Sequence, residues 1–342
     1  MPVHSRHFLE YERLRVELAE LWQNEGGGSD REAAIFDELE QLDEHLSEGE
    51  TDWLLDISAD LFQLNGKERH RMSSEDVRGP RQQILAVLDR FRANQWPELL
   101  QLLRLELAGL TEESRAYLRG RAYSSDALGN PYAGSAFYRY AAQRSDQGAN
   151  YLALSILSLN DQKAEAVRQS EKILAHGEDL SSEVGATVAA ALFKGLTDES
   201  VKEDRNVRDF DRVIRLSLRA FDQPESVPID ILDLALSTLV ESISVQGLDE
   251  VRPSTLSERF ALGTNVSAES YTRIIALDVS QRVVRGELSS EYAVAAYANE
   301  MNNIPLVNEL TKDVFWPPQL EVSTSSQLSD ARITRELIAL AA

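Results

Sequence analysis

The 342-residue sequence contains no cysteine. That excludes disulfides, thiolate nucleophiles and cysteine-based zinc sites. Alternating β-branched runs are missing, so there is little sign of half-buried strands. Long apolar runs are missing too. The longest, "ATVAAALF", falls far short of the roughly 20 residues that cross a bilayer. The opening "MPVHSRHFLEYER" has no apolar core of the secretory kind. Gly26–Gly28 lack the Lys-Ser/Thr sequel of a phosphate loop, and neither a nucleophile elbow nor a zinc-protease helix occurs. Positive charge is scarce: 35 Lys and Arg against 57 Asp and Glu leave a net charge of −22, which disfavours nucleic-acid binding. These absences lead to the expectation of a soluble, cytoplasmic chain that binds no nucleic acid, membrane, metal or cofactor.

The acidic residues are unevenly distributed. Residues 1–65 hold 17 Asp and Glu against 4 Lys and Arg, whereas residues 66–145 hold 9 against 13. In the first block Tyr11, Leu14, Leu18 and Leu21 recur at helical spacing, as do Ile35, Leu39, Leu42 and Leu46. "NEGGGSD" separates the two stripes, with Asp30 as the expected N-cap of the second helix. "ETDWLLDISADLF" adds a third helix that closes a small bundle. The organisation read from these patterns is all-α. Residues 1–65 form an acidic helical hairpin or small bundle, 66–79 a linker, and 80–248 a set of helical repeats. Residues 249–322 read as divergent repeats or a helical cap, with helices expected at 267–286, 288–301 and 304–314. Residues 323–342 read as a flexible segment and a terminal helix carrying Ile333, Leu337 and Leu340.

A repeat emerges from spacing. Ala86, Gly120 and Ala153 are separated by 34 and 33 residues, and Leu99, Ala133 and Ala166 by the same intervals. A helix pair of this length cannot bury its apolar stripe alone, so neighbouring pairs must complete the core. Small residues are needed where the helices of a pair approach closely. On this pattern Ala133, Phe137 and Ala141 in "ALGNPYAGSAFYRYAAQ" belong to packing, which leaves Tyr138 and Arg139 as the more exposed positions. Asn130 and Pro131 begin that helix as cap and first-turn proline.

The run "YLRGRAY…NPYAGSAFYRYA", with Gly120-x2-Tyr123 followed by Ala133-x3-Phe137, resembles a tetratricopeptide repeat. "AEAVRQSEKILA" at 164–175 is similar to the second helix of such a repeat, with Ala166 in the alanine place. The resemblance covers about residues 80–178 in three units. It departs from the family pattern at Ser170, where an aromatic is usual, and in lacking the proline after the second helix. It implies an α-α superhelix whose first helices line a concave groove.

The candidate sites follow from these patterns. His4 and His7 lack a third ligand and read as a disordered end. Asp52, Asp56 and Asp60 lie at i, i+4 and i+8, a row suited either to a hard cation or to solvent. On the groove that the resemblance implies, Arg90, Tyr117, Arg121 and Asn150 flank the small positions, with Arg78 and Arg81 at its entrance. Arginine and tyrosine are frequent binding anchors, and an extended acidic peptide suits such a groove. The leading expectation is a non-enzymatic adaptor or scaffold that binds a protein or peptide partner. A regulatory sensor or effector-associated subunit, and a helical enzyme with a carboxylate site, are the alternatives. The charge reversal near residue 66 adds an expectation that the N-terminal hairpin docks on the basic middle block, within the chain or in a partner copy.

Overall fold

A computed structural model describes residues 4–24, 28–65, 79–146, 148–159, 161–175, 180–197, 207–220, 227–246, 282–283, 286–289, 292–293, 295 and 325–341. The described residues form thirteen α-helices and no strand. Two compact units separate by contacts: residues 1–162 with 329–342, and residues 163–328. Residues 66–78 and most of 249–322 lie outside the described residues.

The first unit begins with α1 (Arg6–Asn24), α2 (Asp30–Asp43) and α3 (Glu48–Leu61). The stripes read from the sequence meet in one core: Leu14 and Leu18 of α1, Ile35 and Leu39 of α2, Leu54 and Ile57 of α3. The cap of α2 is Ser29, one residue before the expected Asp30; its hydroxyl accepts the Glu32 N–H, and Asp30 falls in the first turn. There its charge favours the positive end of the helix dipole. Ser47 and Glu50 form a capping box at α3, satisfying two backbone donors reciprocally. His4 is tied down, with Nε2 2.6 Å from the Leu128 carbonyl oxygen, so it is not the loose end expected from the sequence.

Five further helices follow: α4 (Pro80–Arg92), α5 (Trp96–Leu103), α6 (Glu112–Tyr123), α7 (Pro131–Ala142) and α8 (Gly148–Leu157). The small positions fall where the spacing placed them, with Ala86, Gly120 and Ala153 in α4, α6 and α8 and Leu99 and Ala133 in α5 and α7. Gly120 marks a close approach, because a Cβ there would sit 2.9 Å from the Tyr138 ring. Tyr138 fills that space and is buried, which overturns its expected exposure. Arg115 and Arg119 are buried within α6 and donate to the Leu103 carbonyl, one of the orphan acceptors at the end of α5.

The acidic N-terminal helices dock on this basic block within the chain, and α1 and α3 both pack on α7. Asp60, 1% exposed, accepts from Arg104 Nε at 3.0 Å and from the Tyr123 hydroxyl at 2.6 Å, and Arg119 lies 3.7 Å away. Asp56 pairs with Arg104 at 3.2 Å. The cation gripped by this acidic row is therefore guanidinium. Arg139, half-buried, pairs with Glu20.

At α7 the expected cap takes another form. Pro131 is in the first turn, but the Asn130 side chain makes no capping bond. It accepts from Trp53 Nε1 at 3.0 Å instead, while Glu12 of α1 takes the Ala133 N–H at 2.7 Å. A carboxyl from a distant helix thus satisfies one of the orphan donors of α7.

In the second unit α9 (Lys163–Ala175), α10 (Ser182–Thr197), α11 (Val207–Arg219) and α12 (Ile229–Gln246) pack around α10, which touches the other three. Ala186, Ala189 and Ala190 are buried along α10. A Cβ at Gly195 would run into Val167 of α9, so this contact also depends on a small residue. Asp230 accepts the Ser325 N–H at 3.0 Å, at the start of α13 (Ser325–Ala341).

Candidate functional site

Helix α6 presents Ser114, Tyr117 and Arg121 along one stripe, at i, i+3 and i+7. Asn150 and Tyr151 of α8 lie beside it, and the Tyr117 and Tyr151 rings are 5.5 Å apart. This face holds the chain's own C-terminal helix. In α13, Ser329, Ile333, Leu337 and Ala341 step by four residues and are all buried, so the helix lays a narrow stripe inward.

The polar contacts flank that stripe. The Tyr117 hydroxyl donates to Asp330 Oδ1 at 2.5 Å, and Arg121 Nε lies 3.5 Å from Asp330 Oδ2. Asn150 Nδ2 donates to Ser329 Oγ at 2.6 Å, and Ser114 Oγ to Glu336 Oε2 at 2.6 Å. Arg332 pairs with Glu113 at 2.6 Å and also reaches the Tyr151 hydroxyl, with its guanidinium 5.7 Å from the Tyr151 ring centre. Leu340 closes over Gly109, whose φ of +84° is a backbone conformation suited to glycine.

Burial decides which of these contacts carry energy. Tyr117 is fully buried, and burial, reinforced by Tyr138 and Asp330, holds its hydroxyl well above the ordinary range of tyrosine, so it stays a donor. A hydrogen bond from such a group to a carboxylate contributes roughly 1.5–3 kcal/mol. The Arg121–Asp330 pair is 28% exposed on both sides and adds about 0.2–1 kcal/mol. Arg121 also lies 5.4 Å from the Trp96 ring centre, which fixes where its charge sits.

Of the six residues picked from the sequence, Tyr117, Arg121 and Asn150 converge on α13. Arg81 and Arg90 of α4 are exposed, and Arg90 donates to Gln95 at 2.6 Å. Arg78 lies outside the described residues. Sequence reasoning passed over Glu113, Ser114 and Tyr151, although Glu113 and Ser114 share a face with Tyr117 by helical spacing. Ile333, Leu337 and Leu340 mark a terminal helix in the sequence, but nothing in that spacing names the surface the helix covers.

Chemically the face is a packing surface: donors and acceptors on α6 and α8 meet those of α13, with Asp330 shared by Tyr117 and Arg121 and Arg332 shared by Glu113 and Tyr151. The buried carboxylates of this unit are engaged elsewhere. Asp60 takes guanidinium groups, and Glu12 is fully buried against α7. Among the described residues no group of three or more His, Asp and Glu could hold a metal ion, and no helix is long and apolar enough to cross a membrane. Comparison with protein-family models, curated proteins and solved structures finds no match to this chain.

Proposed function

We propose that this chain is a non-enzymatic helical-repeat adaptor. Its tetratricopeptide-like first-helix face binds a helix of a protein partner, and its own C-terminal helix occupies that face until the partner displaces it. The observation carrying this reading is the set of paired contacts on α13, above all those of Tyr117, Arg121 and Asn150 with Ser329 and Asp330. Three residues chosen from sequence as partner-binding all meet one helical ligand in cis. That ligand defines what the face recognises. In α13 an Asp is followed two residues on by Arg332, six on by Glu336 and ten on by Leu340, around the apolar stripe of Ile333 and Leu337. The partner is thus a helix of mixed charge, where the sequence favoured an extended acidic peptide. The cytoplasm is the proposed setting, consistent with an acidic, cysteine-free composition.

Asp330→Arg in the full-length chain tests the reading, because it loosens α13 while leaving the face intact. Quantitative capture from native lysate is expected to recover more of a stoichiometric partner with this variant than with the wild type. Adding Arg121→Ala and Tyr117→Phe, which damage the face itself, is expected to abolish the gain. Equal recovery by all three proteins would refute the proposal.

A further inference from the structure

We infer a second docking site, separate from the face that holds α13: the groove between α2 and α3. Its occupant is an amphipathic helix of another protein, with lysine or arginine flanking an apolar stripe. Helices α2 and α3 each pack on α1 rather than extensively on one another. The space left between them is a groove of about 340 Å³ floored by Tyr11 and Arg15 of α1. Phe36 and Leu39 of α2 line one wall at i and i+3, and Leu54 and Leu55 of α3 line the other. Leu39 and Leu54 are buried, but Phe36 is 45% and Leu55 58% exposed. The apolar lining therefore continues from the core out to solvent, as a helix-binding groove requires.

Charge selects the occupant. Glu40 and Asp43 lie one and two turns beyond Phe36 and are exposed at the rim. Residues 30–56 carry eleven Asp and Glu against one Arg. Arg15, the cation on the floor, already donates to the Tyr11 hydroxyl at 2.8 Å. A second copy would bring the same acidic rim against this one, and an anionic lipid surface would be repelled in the same way. A helix with basic flanks places apolar side chains on Phe36 and Leu55 and cations beside Glu40 and Asp43. Such complementarity raises specificity and on-rate more than affinity.

The probes are a fluorescent amphipathic helix of leucine and lysine and its leucine–glutamate counterpart, titrated into the full-length protein. The leucine–lysine helix is expected to bind, and its affinity to fall at least about tenfold in Phe36→Ser/Leu55→Ser and again in Glu40→Lys/Asp43→Lys. The leucine–glutamate helix is expected not to bind. All four positions are exposed, and the charge variant provides an independent test if the serine variant unfolds. Unchanged affinity in these variants, or equal binding of the leucine–glutamate helix, would overturn the inference. So would sedimentation showing a wild-type dimer that Phe36→Ser/Leu55→Ser dissolves, since the groove would then be a contact between copies.

Discussion

Glu12→Gln is expected to remove much of the pH dependence of the first unit's stability. Glu12 is fully buried, and burial raises its pKa from 4.5 to about 8, against the opposing hydrogen bonds of Ala133 and Asn130. The folded protein therefore holds a neutral carboxylic acid at pH 7, whereas the unfolded chain ionises near 4.5. Because the folded value is the higher one, the associated stability is fully present below pH 4.5. It falls as pH rises through the window up to about 8, and is constant above it. At about 1.4 kcal/mol per pH unit, the loss reaches roughly 3 kcal/mol by pH 7 and roughly 5 kcal/mol above pH 8. Glutamine preserves the shape, and its carbonyl oxygen still accepts the Ala133 N–H that Glu12 takes at 2.7 Å; its amide nitrogen faces the Asn130 Nδ2 donor at 3.5 Å, a cost that is the same at every pH. Urea unfolding followed by tryptophan fluorescence, to which Trp53 beside Asn130 contributes, measures both proteins from pH 4.5 to 9. The stability difference between variant and wild type is expected to widen across that range by several kcal/mol. Parallel pH profiles would instead mean that Glu12 ionises alike in the folded and unfolded states.

Asp60→Asn removes the acceptor shared by Arg104, Arg119 and Tyr123. Breaking a buried pair in this way costs about 3–5 kcal/mol, so thermal unfolding of the first unit should shift down by several degrees. Gly120→Ala places a Cβ 2.9 Å from the Tyr138 ring and is expected to cost roughly 1–3 kcal/mol by overpacking, read from the same melts. An unchanged melting point in either variant would contradict the packing described.

Much of the helical framework was legible because its signals are local. The stripe Tyr11, Leu14, Leu18 marks the buried face of α1, and the 34- and 33-residue spacing places Ala86, Gly120 and Ala153 in three separate helices. Tyr117, Arg121 and Asn150 come from the groove that the resemblance implies, and the structure places all three beside α13. Other features depend on contacts between distant residues. Tyr117 and Asp330 are 213 residues apart, and no periodic pattern in either segment points to the other. The row Asp52, Asp56, Asp60 was visible as an acidic face, but Arg104 as its cation depends on how α3 docks. Tyr138 looked exposed by its place in the repeat. It is buried because Gly120, one helix away, leaves room for its ring.

If α13 is an exchangeable ligand of the face formed by α6 and α8, a fluorescent peptide of residues 325–341 titrated into full-length protein competes with the resident helix. Asp330→Arg removes the bond from Tyr117 and the pair with Arg121. Loosening the resident helix by about 2–3 kcal/mol corresponds to roughly 30- to 150-fold in its opening equilibrium. The wild-type peptide is expected to bind this variant at least about tenfold more tightly than it binds the wild-type protein. Coincident titration curves for the two proteins would mean that α13 is not exchangeable.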